Sequence, residues 1–201
     1  MKSVLISIQP KWCELIASGK KTVEVRKTKP KLETPFKVYI YATKSGDRLV
    51  LKNDKVYEIS KYITGKVIGE FVCDKICEFE FLENGEFQCR NPVYLGQSCL
   101  TYDELINYIG KNKIGYGWHI SDLVIYDTPK ELGEFYTVDN EAVKQCEYRE
   151  RVYNNPDYTN GAWLLGSYVC NKGEINWCTK CKTKPIARPP QSWCYVEGVS
   201  L

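Results

Sequence analysis

Short blocks of clustered or alternating apolar residues run along the first two thirds of the chain, and most have the period of strands. Val4-Leu5-Ile6 and then Ile8 make residues 3–8 a buried strand. Pro10 suits the first turn of a helix, Trp12, Leu15 and Ile16 follow at helical spacing, and Gly19 stops it. In residues 22–26 the alternation puts Val23 and Val25 on one face and Thr22, Glu24 and Arg26 on the other. Phe-Lys-Val-Tyr-Ile-Tyr-Ala at 36–42 is rich in strand formers. Residues 44–64 are polar and irregular, as an insertion would be. Strands are expected at 66–76 and 78–82, then an Asn84-Gly85 turn and a short strand at 86–89. Residues 102–109 give the cleanest helix, with Thr101 and Glu104 as a capping box, Tyr102, Leu105, Ile106 and Ile109 as the apolar stripe, and Gly110 as the end. A long strand is expected at 116–126, after which 129–135 lead out of the domain.

Beyond about residue 138 the periodicity fades and turn formers appear, among them Asn154-Asn155-Pro156 and Asn160-Gly161. The pattern predicts an α+β fold, a small mixed β-barrel with flanking helices over residues 1–137, and a cysteine-containing extension over 138–201. Composition agrees with a folded chain. Hydrophobic residues are 43% and aromatics 13%, enough for a core and too many for a disordered chain.

Charge sharpens the picture by its placement. The net +3 demands no anionic partner, but residues 1–31 hold eight basic side chains against Glu14 and Glu24. Residues 172–188 hold five against Glu174, whereas Glu70, Asp74, Glu78, Glu80, Glu83 and Glu86 crowd one acidic stretch. Such opposed regions either focus an anion onto one face or form an unevenly charged solvated surface. The apolar run after Lys2 ends at Gln9-Pro10, too early for a secretion signal, and nothing approaches the roughly 18 apolar residues of a membrane span. A soluble cytoplasmic protein is expected, its ten cysteines reduced thiols or metal ligands.

The densest candidate chemistry is Gly19-Lys20-Lys21-Thr22-Val23-Glu24-Val25-Arg26. Glu24 and Arg26 leave one face of a strand, and with Lys21 they offer donors and an acceptor to a nucleobase edge or a phosphate. The same residues would also make an ordinary strand-surface salt bridge. Lys20, Lys27, Lys29 and Lys31 could contact phosphates beside them. Trp12 and Trp118 are candidates to stack on a base, although Trp12 also lies on the apolar stripe of the first helix.

Ile8-Gln9-Pro10-Lys11-Trp12, the helix, and then Gly19-x-Lys21-x-x-Glu24-x-Arg26 resemble the signature of the ASCH family, itself similar to the PUA, EVE and YTH domains. The resemblance covers roughly residues 1–127 and implies a PUA-like barrel that binds RNA, a nucleotide or a modified nucleoside. The implied ligand-contacting residues are Gln9, Trp12, Lys20, Lys21, Glu24, Arg26, Glu70 and Trp118. Trp118-His119-Ile120-Ser121-Asp122, Pro129-Lys130-Glu131-Leu132 and Arg188-Pro189-Pro190-Gln191-Ser192-Trp193 look like ASCH proteins of bacteria and their phages, which implies the cytoplasm of a bacterium or of a phage-infected host. Some family members are amidohydrolases of acylated cytidine, and their lysine and glutamate fall on Lys21 and Glu70. Their threonine falls on Glu24, a departure that counts against that reaction, because a carboxylate does not replace an alcohol nucleophile. Others are ribonucleases, for which His119 with Lys21 would be the acid–base candidate. A protein-interaction accessory factor docking through the extension is the third reading.

In the extension, Cys178-Thr179-Lys180-Cys181 is a knuckle with Cys170 before it and Cys194 after it. Four thiolates in a basic, loop-rich segment suit one tetrahedral structural zinc, with Cys146 able to replace Cys170 or Cys194. Cys13, Cys73, Cys77, Cys89 and Cys99 read as small apolar core residues.

Overall fold

The computed structural model describes residues 2–44, 64–81, 87–89, 93–110, 113–137 and 185–197. In chain order the elements are β1 (Lys2–Ile8), α1 (Pro10–Ala17), β2 (Val23–Arg26), β3 (Phe36–Ala42), β4 (Val67–Cys73), β5 (Ile76–Phe81), β6 (Phe87–Cys89), α2 (Val93–Ser98), α3 (Tyr102–Ile109), β7 (Ile114–His119), β8 (Ser121–Lys130), a 3-10 turn (Leu132–Glu134) and β9 (Trp193–Glu197). They form a mixed helix-and-strand fold of two sheets, five-stranded β8-β4-β3-β1-β9 and four-stranded β2-β7-β5-β6. The two sheets remain separate ladders, so no closed barrel is present among the described residues.

Alternation sorts the core into three layers. Val4, Ile6 and Ile8 of β1, Val38 and Ile40 of β3, Phe71 and Trp118 meet between the sheets. Leu5, Tyr39, Tyr41 and Val67 leave the outer face of the five-stranded sheet and pack on Phe135, Ile186 and Val196. Val23 and Val25 of β2 turn the other way, onto Phe79 and the α3 residues Leu105 and Ile109. Glycine is needed where β7 crosses β5, since a Cβ on Gly117 would lie 2.6 Å from the Cys77 sulfur and 2.8 Å from the Phe79 ring.

Most expected elements are present, and the differences have local causes. The 66–76 strand breaks at Asp74-Lys75, and the 116–126 strand breaks at Ile120, whose N–H donates to the Thr22 carbonyl. At each break the chain passes from one sheet to the other. Helix α2 was not foreseen; its six residues are too few to display a helical period. Residues 129–135 do not lead out of the domain, because Lys130 ends β8 paired with Val67, and Phe135 is fully buried against Tyr39. The last described segment lies beyond the expected 137/138 division. Residues 193–197 form β9, paired antiparallel with β1 from Lys2↔Glu197 to Ile6↔Trp193.

Candidate ligand site

The site begins at the end of α1. Gly19 takes φ +71°, and the N–H groups of Gly19 and Lys20 reach the carbonyls of Ile16 and Leu15. These bonds close the helix in a Schellman motif, where only glycine adopts the left-handed turn without cost. The chain leaves it with Lys21 pointed inward, and the Thr22 N–H then ties to the Gln97 carbonyl of α2.

Lys21, Glu24 and Arg26 are 2%, 6% and 7% exposed, so the expected charged face of β2 is turned into the protein. Lys21 Nζ donates to the Ser98 carbonyl at 2.6 Å and lies 3.4 Å from Glu24. Arg26 Nη2 donates to the Ser7 carbonyl at 2.6 Å and forms an ion pair with Glu24 at 2.9 Å. Ser7 is fixed in turn, with its N–H on the Ser192 carbonyl and its hydroxyl on Pro190, so the returning C-terminal segment braces the arginine's partner. Cys13 lies beneath the trio; burial first, then the charge of Glu24, pushes its thiol far up and keeps it protonated.

Two features set this cluster apart from a finished salt bridge. One carboxylate serves two cations, leaving an excess positive charge in a nearly buried place. Arg26 Nε and, directly across the strand pair from Glu24, Trp118 Nε1 are buried donors without acceptors. Unpaired buried donors are costly, and functional sites are where native proteins keep them.

The remaining expected residues divide. Lys20 is exposed beside Lys21, and Gln9 is exposed at the start of α1. Trp12 is half-buried with the Lys11 and Lys21 ammoniums 4.4 and 5.1 Å from its ring centre. Trp118 is not a stacking surface, because it is fully buried with Phe36 at 5.8 Å and Trp193 at 5.9 Å.

Glu70 is not part of the cluster. It pairs with Tyr39 across β3–β4 and so stands on the outer face of the five-stranded sheet, where Lys37 Nζ and Tyr126 Oη each donate to it at 2.6 Å. Burial, then the Glu70 hydrogen bond and charge, hold the Tyr126 phenol strongly up. The amidohydrolase pairing of Lys21 with Glu70 is therefore not assembled. His119 also turns away: it sits opposite Val23 in the register, on the face of β7 opposite Trp118, and binds Asp74 at 2.6 Å.

Of the candidate zinc ligands, Cys170, Cys178 and Cys181 lie outside the described residues, as does Cys146. Cys194 lies in β9 opposite Leu5, and burial pushes its thiol up to about 11. No group of three or more His, Cys, Asp or Glu that could hold a metal occurs among the described residues. A cavity of about 540 Å³ is lined by Tyr41, Thr43, Lys44, Glu131, Leu132 and Pro189 among others, and by none of the trio.

Sequence reasoning missed the carbonyls of Ser7 and Ser98 that hold the cations. Backbone acceptors carry no residue signature, so only the fold could supply them.

The two-sheet fold with a motif lysine, glutamate and arginine on the first hairpin of elements defines a class, and the comparisons name it. The model of the ASCH domain family matches residues 6–150, and the chain belongs to that family. Among solved structures it resembles the ASCH protein of Zymomonas mobilis, at 21% identity and TM-score 0.46 over 65% of this chain and 73% of that one. A serine-to-alanine variant of that protein aligns over 97% of this chain and 88% of its own, at 16% identity and TM-score 0.51. The second likeness speaks to the fold alone. Among curated proteins, none matches the chain. No described helix is long and apolar enough to cross a membrane.

Proposed function

We infer that the protein binds RNA or a nucleotide, with Lys21, Glu24 and Arg26 as the recognition group of a charged cleft in a PUA-like architecture. The observation that carries this reading is the charge imbalance: two buried cations share one carboxylate, and Arg26 Nε has no acceptor. A phosphate supplies both the counter-charge and the acceptor, and a base carbonyl supplies the acceptor. Binding fits the residues better than hydrolysis, because Glu70 and His119 stand apart from Lys21 and no alcohol occupies position 24. The test is mass spectrometry of nucleic acid and small molecules that co-purify with the native protein, repeated with Arg26→Ala. Nucleotide material on the native chain and none on the variant supports the reading; protein partners alone would favour the accessory-factor alternative.

Zinc in the C-terminal region rests on the sequence: the two-residue spacer of Cys178 and Cys181 lets both thiolates reach one ion. Cys194 is the weakest of the four ligands, given its apolar strand position, and Cys146 is the substitute. Elemental analysis giving one zinc per chain, lost in Cys178→Ser, supports the site; no zinc in the reduced native protein refutes it.

A further inference from the structure

The recess of about 540 Å³ lies where the end of β3 meets the 3-10 turn and the segment that returns ahead of β9. Alternation along β3 sets Tyr39 and Tyr41 on the outer face of the five-stranded sheet, and Thr43 follows on the same side. Leu132 of the turn and Ile186 and Pro189 of the returning segment supply apolar walls. The Ile186 N–H donates to the Phe135 carbonyl at 2.8 Å, which ties that segment to the end of the turn.

Two polar groups here are built in but unused. Tyr41 is 2% exposed, yet among the described residues its hydroxyl has no hydrogen-bond partner. Burial, then the charge of Glu131, holds its pKa up, so the phenol stays a neutral donor. A buried polar group left open at a recess keeps its bond for whatever enters. Lys44 is the second. Its stem crosses Gly65, where φ is +86° and a Cβ would fall 2.7 Å from Lys44 Cε, so glycine leaves the lysine its place. Among the described residues no carboxylate pairs with the Lys44 ammonium. Glu131, by contrast, is occupied: Lys66 Nζ stands 2.7 Å from it and the Glu134 N–H donates to it. The charge left over at the recess is therefore one cation.

That inventory selects a chemical class. One ammonium balances a single negative charge, and the neighbouring carboxylate of Glu131 opposes a second, which disfavours a phosphate dianion. Apolar walls call for an organic body, and the volume falls in the range of small-molecule sites, roughly 300–1,000 Å³. We propose that the recess is a second ligand site, which takes a small organic acid with its carboxylate on the Lys44 ammonium and the Tyr41 hydroxyl and its apolar body against Leu132, Ile186 and Pro189. It shares no residue with the Lys21–Glu24–Arg26 cluster, so it stands or falls independently of the nucleotide reading.

Isothermal titration calorimetry on the full chain tests this with 3-phenylpropanoate, its neutral amide, 2-phenylethyl phosphate and acetate. The phenyl acid is expected to bind about tenfold more tightly than the amide, which lacks the charge, and than acetate, which lacks the body. The phosphate should bind more weakly than the acid. Lys44→Ala should weaken the acid about tenfold and leave the amide unchanged, whereas Lys44→Arg should keep the acid within about threefold. Lys113→Ala removes another exposed lysine and should change nothing, which separates a site from a general charge effect. Tyr41→Phe should weaken the acid about fivefold with an unchanged thermal melt, because the lost hydroxyl bonds to nothing among the described residues. An amide as tight as the acid, a phosphate tighter than it, or equal affinity in both Lys44→Ala and Tyr41→Phe would overturn the proposal. So would the absence of any acid binding at millimolar concentration.

Discussion

Glu24 and Glu70 are equally buried, each 6% exposed, but only one of them has balanced surroundings. Glu70 meets one cation and one phenol, with a 2.6 Å bond on each oxygen. Glu24 meets two cations on an interior face, and one of those keeps a donor without an acceptor. Burying an ion pair seldom adds net stability, and it is tolerable when charge and hydrogen bonds close. The Glu70 group closes and reads as architecture. The Glu24 group keeps an excess positive charge and an unpaired donor, and the proposed ligand site rests on that difference.

Four substitutions and a titration would break or sharpen this contrast. The largest effect is expected from Glu24→Ala, which leaves Lys21 and Arg26 buried without a counter-charge and should cost about 3–5 kcal/mol in urea unfolding. An undiminished midpoint would mean that water already balances the trio. Tyr126→Phe removes a bond to a buried carboxylate and should cost about 1.5–3 kcal/mol while leaving oligonucleotide affinity within twofold. If it weakened binding instead, the two groups would be coupled and the contrast lost. Arg26→Ala should behave in the opposite sense. It leaves a neutral Lys21–Glu24 pair and one unpaired Ser7 carbonyl, for about 1–2 kcal/mol of stability, yet should lower affinity more than tenfold. Gly19→Ala forces a side chain into the left-handed turn that aims Lys21, so a loss of about 1 kcal/mol by thermal melting should come with weaker binding.

The smallest effect concerns the pair on the opposite face of β7. Burial raises the Asp74 pKa, but the hydrogen bond and charge of His119 outweigh it and hold the carboxyl below its ordinary 3.8. A lowered folded-state pKa gives stability that is present above that value and is lost as pH falls through the folded pKa. The stability difference between the native protein and Asp74→Asn, seen near pH 5, should therefore close as pH falls below 3.8 and through the lowered folded pKa. A difference that stayed constant across that range would place the effect in packing rather than in charge. Oligonucleotide affinity at neutral pH should not follow it.

Much of the fold was legible because short-range rules govern it. The capping box is present as read, with Thr101 Oγ1 accepting from the Glu104 N–H and Glu104 accepting from the Thr101 N–H. The period of residues 36–42 names β3 to the residue. The site was half legible. Alternation put Glu24 and Arg26 on one face of β2, but could not say whether that face looked outward or inward, since the answer depends on which side α3 covers. Glu70 was assigned from a resemblance, and the pleat of β4 sends it to the far side of the sheet. The C-terminal segment was illegible for a different reason. Its strand is flanked by turn formers, and its partner is at the opposite end of the chain, where no local period can announce it.

That distant partnership has a consequence for synthesis. Until β9 has emerged from the ribosome, β1 is an edge strand, with Val4, Leu5 and Ile6 fully buried in the finished fold and its outer row of hydrogen bonds open. Some 185 residues separate the two strands, which at ordinary elongation rates leaves that edge unpaired for roughly 10–40 s. An exposed apolar edge is the kind of surface that recruits another nascent chain. Pairing of such long sequence separation also closes late in folding, after the local hairpins and helices have formed. Arg26, whose partner Ser7 is braced by that last segment, would then be among the final parts of the molecule to set.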